Sequence, residues 1–191
     1  MSQEINHSEK MKTKDVITVT LLTLINLVIF GFSSFLYIAP VTILLMPVMF
    51  SILEGIAFFL IGFKVRKKGA MLLYCVIHGV IGFYPPYVLL YILGGFISEH
   101  LLKRSGYGDP KALTISYVII QLLACIGSTI FPYTVAFNYM MEHSTPDVRQ
   151  DTIVQAAGMV QQFGWYVLPI VVIILSILGA KLGRKIAEKH L

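Results

Sequence analysis

The chain has 191 residues, of which 57% are apolar and only 13% charged, with a mean hydropathy of +0.79. That balance is far from the soluble average and defines a membrane protein, because the polar ends, roughly 1–15 and 184–191, are too short to bury a core of their own. The net charge of +5 lies in short clusters between apolar runs, which suits membrane orientation and speaks against a nucleic-acid surface.

A bilayer crossing takes about 20 mostly apolar residues. Six runs come near that measure: 16–38, 41–63, 70–84, 87–102, 112–139 and 159–183. The expected fold is an all-α integral membrane protein, a single domain over 1–191 built as a bundle of about six transmembrane helices. The first run follows a basic start but has no small-residue cleavage site, so it reads as a retained helix. The third and fourth runs are short and flank Tyr84-Pro85-Pro86-Tyr87, where two prolines end one helix and begin the next in a tight hairpin.

The segment 140–158 is more than a plain loop. Ser144-Thr145-Pro146-Asp147 offers a capping hydroxyl, a first-turn proline and an early acid, so a helix is expected to start near Pro146. Ile153, Val154, Ala157 and Val160 recur at helical spacing against Arg149, Gln150, Asp151 and Gln155. Such an amphipathic helix is either an interfacial anchor or a lid over a pocket. Gly158, Gly164 and Pro169 mark bends before the last span.

Basic residues concentrate in cytoplasmic loops. With both termini in the cytoplasm, every Lys and Arg except Arg149 falls on that side, in the clusters 10–14, 64–68, 103–111 and 181–189. The 140–158 segment is then outside.

Glu54 and His78 are the ionisable residues deepest in the apolar runs. Glu54 precedes Lys64 by ten residues and His78 follows Lys68 by ten, so an antiparallel hairpin sets them at equal depth. They read either as a polar tie between spans two and three or as a contact to substrate. Glu99 and Lys103 have the spacing of a favourable helical ion pair. Cys75 and Cys125 lie inside apolar runs without paired spacing, so neither a disulfide framework nor a metal site is indicated.

Tyrosines crowd the outer half of this topology: Tyr37, Tyr84, Tyr87, Tyr91, Tyr133 and Tyr139, joined by Trp165 and Tyr166. An interfacial belt would populate both faces, so the asymmetry points to an outward pocket with stacking surfaces and hydroxyl donors. Asn138, Met140, Met141, His143, Gln161 and Gln162 lie near enough in sequence to orient a ligand, and His143 with the methionines has the donor types of haem axial ligands. Gly179-x-x-x-Gly183 permits close helix approach, either within the bundle or against a partner subunit. No nucleophile elbow, phosphate loop or metal-protease pair occurs, so no enzymatic activity, cofactor or metal is expected.

Six spans without a nucleotide-binding motif, the Pro-rich start of span two from Ala39-Pro40 through Met46-Pro47 to Glu54-Gly55, Tyr84-Pro85-Pro86 with Gly94-Gly95, and the Lys-Leu-Gly-Arg-Lys ending at Lys185 resemble the S components of energy-coupling factor (ECF) importers. Within these, the layout looks like the Trep_Strep (MptS-like) family of bacteria. The resemblance implies a multi-pass protein of the bacterial plasma membrane that captures a vitamin or other micronutrient, a tetrapyrrole such as haem among the candidates. It implies as partners a transmembrane coupling subunit and two cytosolic ATPases, besides the ligand and the lipid bilayer. Many S components dock through Ala-x-x-x-Ala in the first helix, whereas this first span offers Gly31 and Ser34. A stand-alone carrier, or a non-catalytic assembly or scaffold protein, is the alternative.

Overall fold

A computed structural model describes residues 10–143 and 150–190 of the chain. Among the described residues the regular structure is helical throughout, with no strand. Helix α1 spans Thr13–Ser33 and runs into a short 3-10 turn, Ser34–Ile38. Helix α2 covers Pro40–Val65, α3 Ala70–Ile81, α4 Pro85–Ser105, α5 Pro110–Thr134, α6 Phe137–His143 and α7 Gln150–His190. Four of these, α1 with its 3-10 extension, α2, α5 and α7, are long and apolar enough to cross a membrane. Helices α3 and α4 form an apolar hairpin packed within the same bundle.

Local chemistry explains the helix ends. Ala39 is extended, Pro40 takes the first helical position, and the Thr42 hydroxyl accepts from the Ala39 amide at 3.1 Å, so α2 starts abruptly. It bends at Leu45, where Pro47 withholds a helical N–H, and again at Glu54, beside which the Tyr117 hydroxyl donates to Ser51 O at 3.0 Å. At the α3–α4 turn, Phe83 adopts a positive φ of 50° and Tyr84 is extended ahead of Pro85. Asp109 caps α5 by accepting from the Lys111 and Ala112 amides at 3.3 and 3.1 Å. Helix α4 runs nearly three turns past the two glycines, through Lys103 and Arg104 to Ser105, longer at both ends than the apolar stretch 87–102.

The bundle has two unlike ends. At the basic end Lys67 Nζ pairs with Asp15 Oδ2 at 2.9 Å, tying the start of α1 to the α2–α3 turn. Glu99 turns its Oε1 toward the amide of Leu72, 3.4 Å away in the first turn of α3, where a helix favours a negative charge. This replaces the Glu99–Lys103 pair that the spacing suggests. At the aromatic end lie the α3–α4 turn, the 3-10 turn, the α5–α6 junction and the start of α7.

The tightest joint lies between α2 and α7. A Cβ placed on Gly179 would strike the carbonyl oxygen of Ser51, and one on Gly183 that of Gly55, so these backbones touch directly. Gly179 and Gly183 are buried inside the chain's own bundle, and internal packing rather than an outward docking face accounts for them. The main core, with Phe58, Phe59, Tyr74, Tyr91 and Tyr117, occupies the middle and the basic half. A second cluster gathers Ile43 and Leu44 of α2, Tyr133 of α5 and Ala156, Ala157, Val160 and Leu168 of α7 at the aromatic end.

The stretch Gln150–Met159 is helical and lays Ala156 and Ala157 onto the start of α2, while Val154 is exposed. It continues through a π-turn, Val160–Gly164, straight into the long last helix, and Pro169 sits inside that helix. The helix start expected near Pro146 falls outside the described residues.

Candidate binding site

Charge buried among apolar helices must be paired, because unpaired it costs several kcal/mol. Glu54 and His78 are 1% and 2% exposed, and His78 Nε2 lies 3.2 Å from Glu54 Oε1. The other carboxylate oxygen, Oε2, accepts from the Tyr91 hydroxyl at 3.0 Å and from Gln121 Nε2 at 2.7 Å. The His78 ring stacks on Tyr91 with centroids 4.6 Å apart and an interplanar angle of 18°. On its far side, Asn26 Nδ2 donates to the Tyr74 hydroxyl at 2.8 Å and sits 3.4 Å from His78 Nδ1.

Five helices thus supply one polar layer: Asn26 from α1, Glu54 from α2, Tyr74 and His78 from α3, Tyr91 from α4 and Gln121 from α5. Two of its acceptors, Asn26 Oδ1 and Glu54 Oε1, receive no hydrogen bond, the His78 contact being short but off-axis.

Directly beyond this layer, toward the aromatic end, opens a cavity of about 280 Å³. Each of the five helices continues into its wall: Phe30, Ser33 and Tyr37 from α1 and the 3-10 turn, Met46 and Phe50 from α2, Gly82 and Tyr84 at the α3–α4 turn, Tyr87 from α4, and Ser128, Pro132 and Tyr133 from α5. Helical geometry sets this register. Phe30 is four residues after Asn26, Phe50 four before Glu54, Gly82 four after His78, Tyr87 four before Tyr91 and Ser128 seven after Gln121. Because the helices alternate in direction, each offset moves the same way along the bundle, so the cavity sits one to two turns above the polar layer on the same helix faces.

A π-turn, Ile126–Ile130, widens α5 where Ser128 meets the cavity, a feature that recurs at functional sites. Gln161, in the second π-turn, donates to the carbonyl of Tyr133 at 2.9 Å and fixes the α7 segment against the cavity wall. Phe30 and Phe50 lie nearly parallel, 14° apart, with centroids separated by 6.1 Å.

Among the residues that the sequence singles out, Tyr37, Tyr84, Tyr87 and Tyr133 meet at the cavity, and Tyr91 lies beneath it with Glu54 and His78. Asn138, Tyr139, Gln162, Trp165 and Tyr166 are exposed on the bundle's surface, where Trp165 and Tyr166 pack edge to face with centroids 5.2 Å apart. The side chains of Ser34, Met140 and His143 fall outside the described residues. Gly31 faces open space on an α1 surface that also exposes Leu21, Val28 and Phe32. Sequence reading missed Asn26, Tyr74 and Gln121, together with Phe30, Ser33, Phe50 and Ser128. The signal for Asn26 and Gln121 was present, each being an uncharged amide isolated in an apolar run.

Fold and site together define a multi-pass helical membrane protein with an aromatic cavity set over a buried polar layer. A family model described as "Hypothetical bacterial integral membrane protein (Trep_Strep)" matches residues 13–191, and the chain belongs to that family of bacterial membrane proteins. No curated protein and no solved structure matches it.

Proposed function

We propose that this protein is the substrate-capturing S component of an ECF-type importer for a micronutrient. The observation that carries the reading is the cavity, walled by tyrosines and floored by a polar layer drawn from five helices. A scaffold has no need of such a recess, whereas a capture subunit requires one. The basic clusters support a cytoplasmic location for both termini, which turns the cavity outward. Energy would come from a transmembrane coupling subunit and two cytosolic ATPases.

At about 280 Å³ the cavity lies at the lower edge of the usual ligand-pocket range of about 300–1,000 Å³. That favours a compact one- or two-ring compound over a tetrapyrrole, whose case rests on His143 and Met140 outside the described side chains. The buried Glu54–His78 pair favours, as a second reading, a carrier that works alone.

Native mass spectrometry of the detergent-purified chain, expressed in rich medium, is the test. A stoichiometric small molecule is the expected result; an empty chain that also ignores a vitamin panel would remove the capture reading. Uptake into liposomes without ATPases would establish the carrier instead.

A further inference from the structure

The geometry points to a ligand class: a small planar ring compound that presents N–H donors or a protonated nitrogen, and no anionic group, at its buried end. This rests on the capture reading above and deepens it. Two independent observations meet here. The described wall of the cavity carries aromatic rings and hydroxyls but no Lys, Arg or His, so an anion entering it would lose hydration and find no countercharge among those residues. One turn deeper, two side chains that are 0% and 1% exposed, Asn26 and Glu54, hold oxygens without a donor. Two open acceptors, one of them on a carboxylate, call for a donor rather than another acceptor.

Two phenylalanines stand between the two levels. Phe30 and Phe50 both line the cavity and stand one turn above Asn26 and Glu54, their parallel rings separated by 6.1 Å between centroids. Tyr87 joins the two levels, since it lines the cavity and its ring lies 6.3 Å from His78 and 5.1 Å from Tyr91. A ring seated among Tyr37, Tyr84 and Tyr133 brings an amino, amide or amidinium group to Asn26 Oδ1 and Glu54 Oε1 once Phe30 and Phe50, which close the cavity floor, turn aside. A cationic group gains twice there, from the carboxylate and from the electron-rich faces of the tyrosines. Turning the Asn26 amide over leaves a donor unpaired in place of an acceptor, but the Glu54 oxygen stays open in either setting.

The experiment uses three probes that share one ring, benzamidine, benzamide and benzoate, titrated by thermal shift and ligand-observed NMR on the detergent-purified full chain. Benzamidine and benzamide are expected to bind at least about tenfold more tightly than benzoate, the difference expected when a buried acceptor meets a donor instead of a like charge. Glu54→Gln should abolish the advantage of benzamidine over benzamide while leaving benzamide bound. Equal or tighter binding of benzoate, or no binding by any probe, overturns the proposal. The wild-type ratio decides alone if Glu54→Gln fails to fold. The two readings fail separately: an anionic molecule found by native mass spectrometry would sink this inference and leave the capture function standing, whereas a chain that carries no ligand at all removes the capture function.

Discussion

His78 occupies the position on which the buried layer depends, with Glu54 on one side and Asn26 on the other. Removing it leaves a carboxylate in an apolar bundle with Tyr91 and Gln121 but without the imidazole 3.2 Å from its Oε1. His78→Ala is therefore expected to destabilise the protein by about 3–5 kcal/mol, the usual cost of breaking a buried pair from one side, as read from detergent-denaturation midpoints. A midpoint within error of wild type would mean that the pair contributes nothing to folding. Glu54 and His78 were legible in the sequence because ionisable groups stand out in apolar runs and equal spacing from one turn fixes their depth. Asn26, Tyr74 and Gln121 were not, because a hydropathy average treats a lone amide as a small interruption and a tyrosine as apolar bulk. Their role exists only once five helices bring them to one level.

Glycine placement governs the elements. Gly55, Gly179 and Gly183 let α2 and α7 meet backbone to backbone, and the volume that a larger residue would need is already filled by carbonyl groups. Gly179→Val should cost well over about 1–3 kcal/mol, since overpacking here presses on main chain that cannot rotate away. Gly31→Ala, on the open face of α1 where nothing lies within 4 Å, serves as the neutral comparison. Size-exclusion profiles and melting temperatures of the two variants would separate them, and similar stability in both would dissolve the argument. The Gly179-x-x-x-Gly183 spacing was plain from sequence, but its partner was not, because a small-residue stripe records close approach without saying to what. The π-turns at Ile126–Ile130 and Val160–Gly164 carry no comparable signature and emerge only from packing.

For the molecule as a whole, the segregation of charge makes a statement about orientation that can be checked without any ligand. Cys75 and Cys125 are both buried, so the native chain offers a quiet background for thiol labelling. On intact cells a membrane-impermeant maleimide is expected to label Glu142→Cys and to leave Lys185→Cys unmodified until the membrane is permeabilised. The opposite pattern would invert the topology, turn the cavity toward the cytoplasm and exclude capture from outside. Overall class was the most legible property, because hydrocarbon thickness imposes helix length directly on the sequence. The long unbroken α7 was harder to anticipate, since Gly158, Gly164 and Pro169 are all bend signals. Only Gly164 falls in the π-turn, while Gly158 and Pro169 sit within helix on either side of it and Ala156, Ala157 and Val160 pack onto neighbouring helices.

The contact of α2 with α7 also has a mechanical meaning. Where two main chains touch, no side chain stands between them to change rotamer, and sliding one helix past the other would drive carbonyl oxygens into each other. The joint works as a rivet. Flexure of the bundle is thereby left to the aromatic half, where α2 turns at Leu45 and α7 passes through the π-turn Val160–Gly164. On the capture reading proposed above, the recess would dilate around a guest while the basic half keeps its shape.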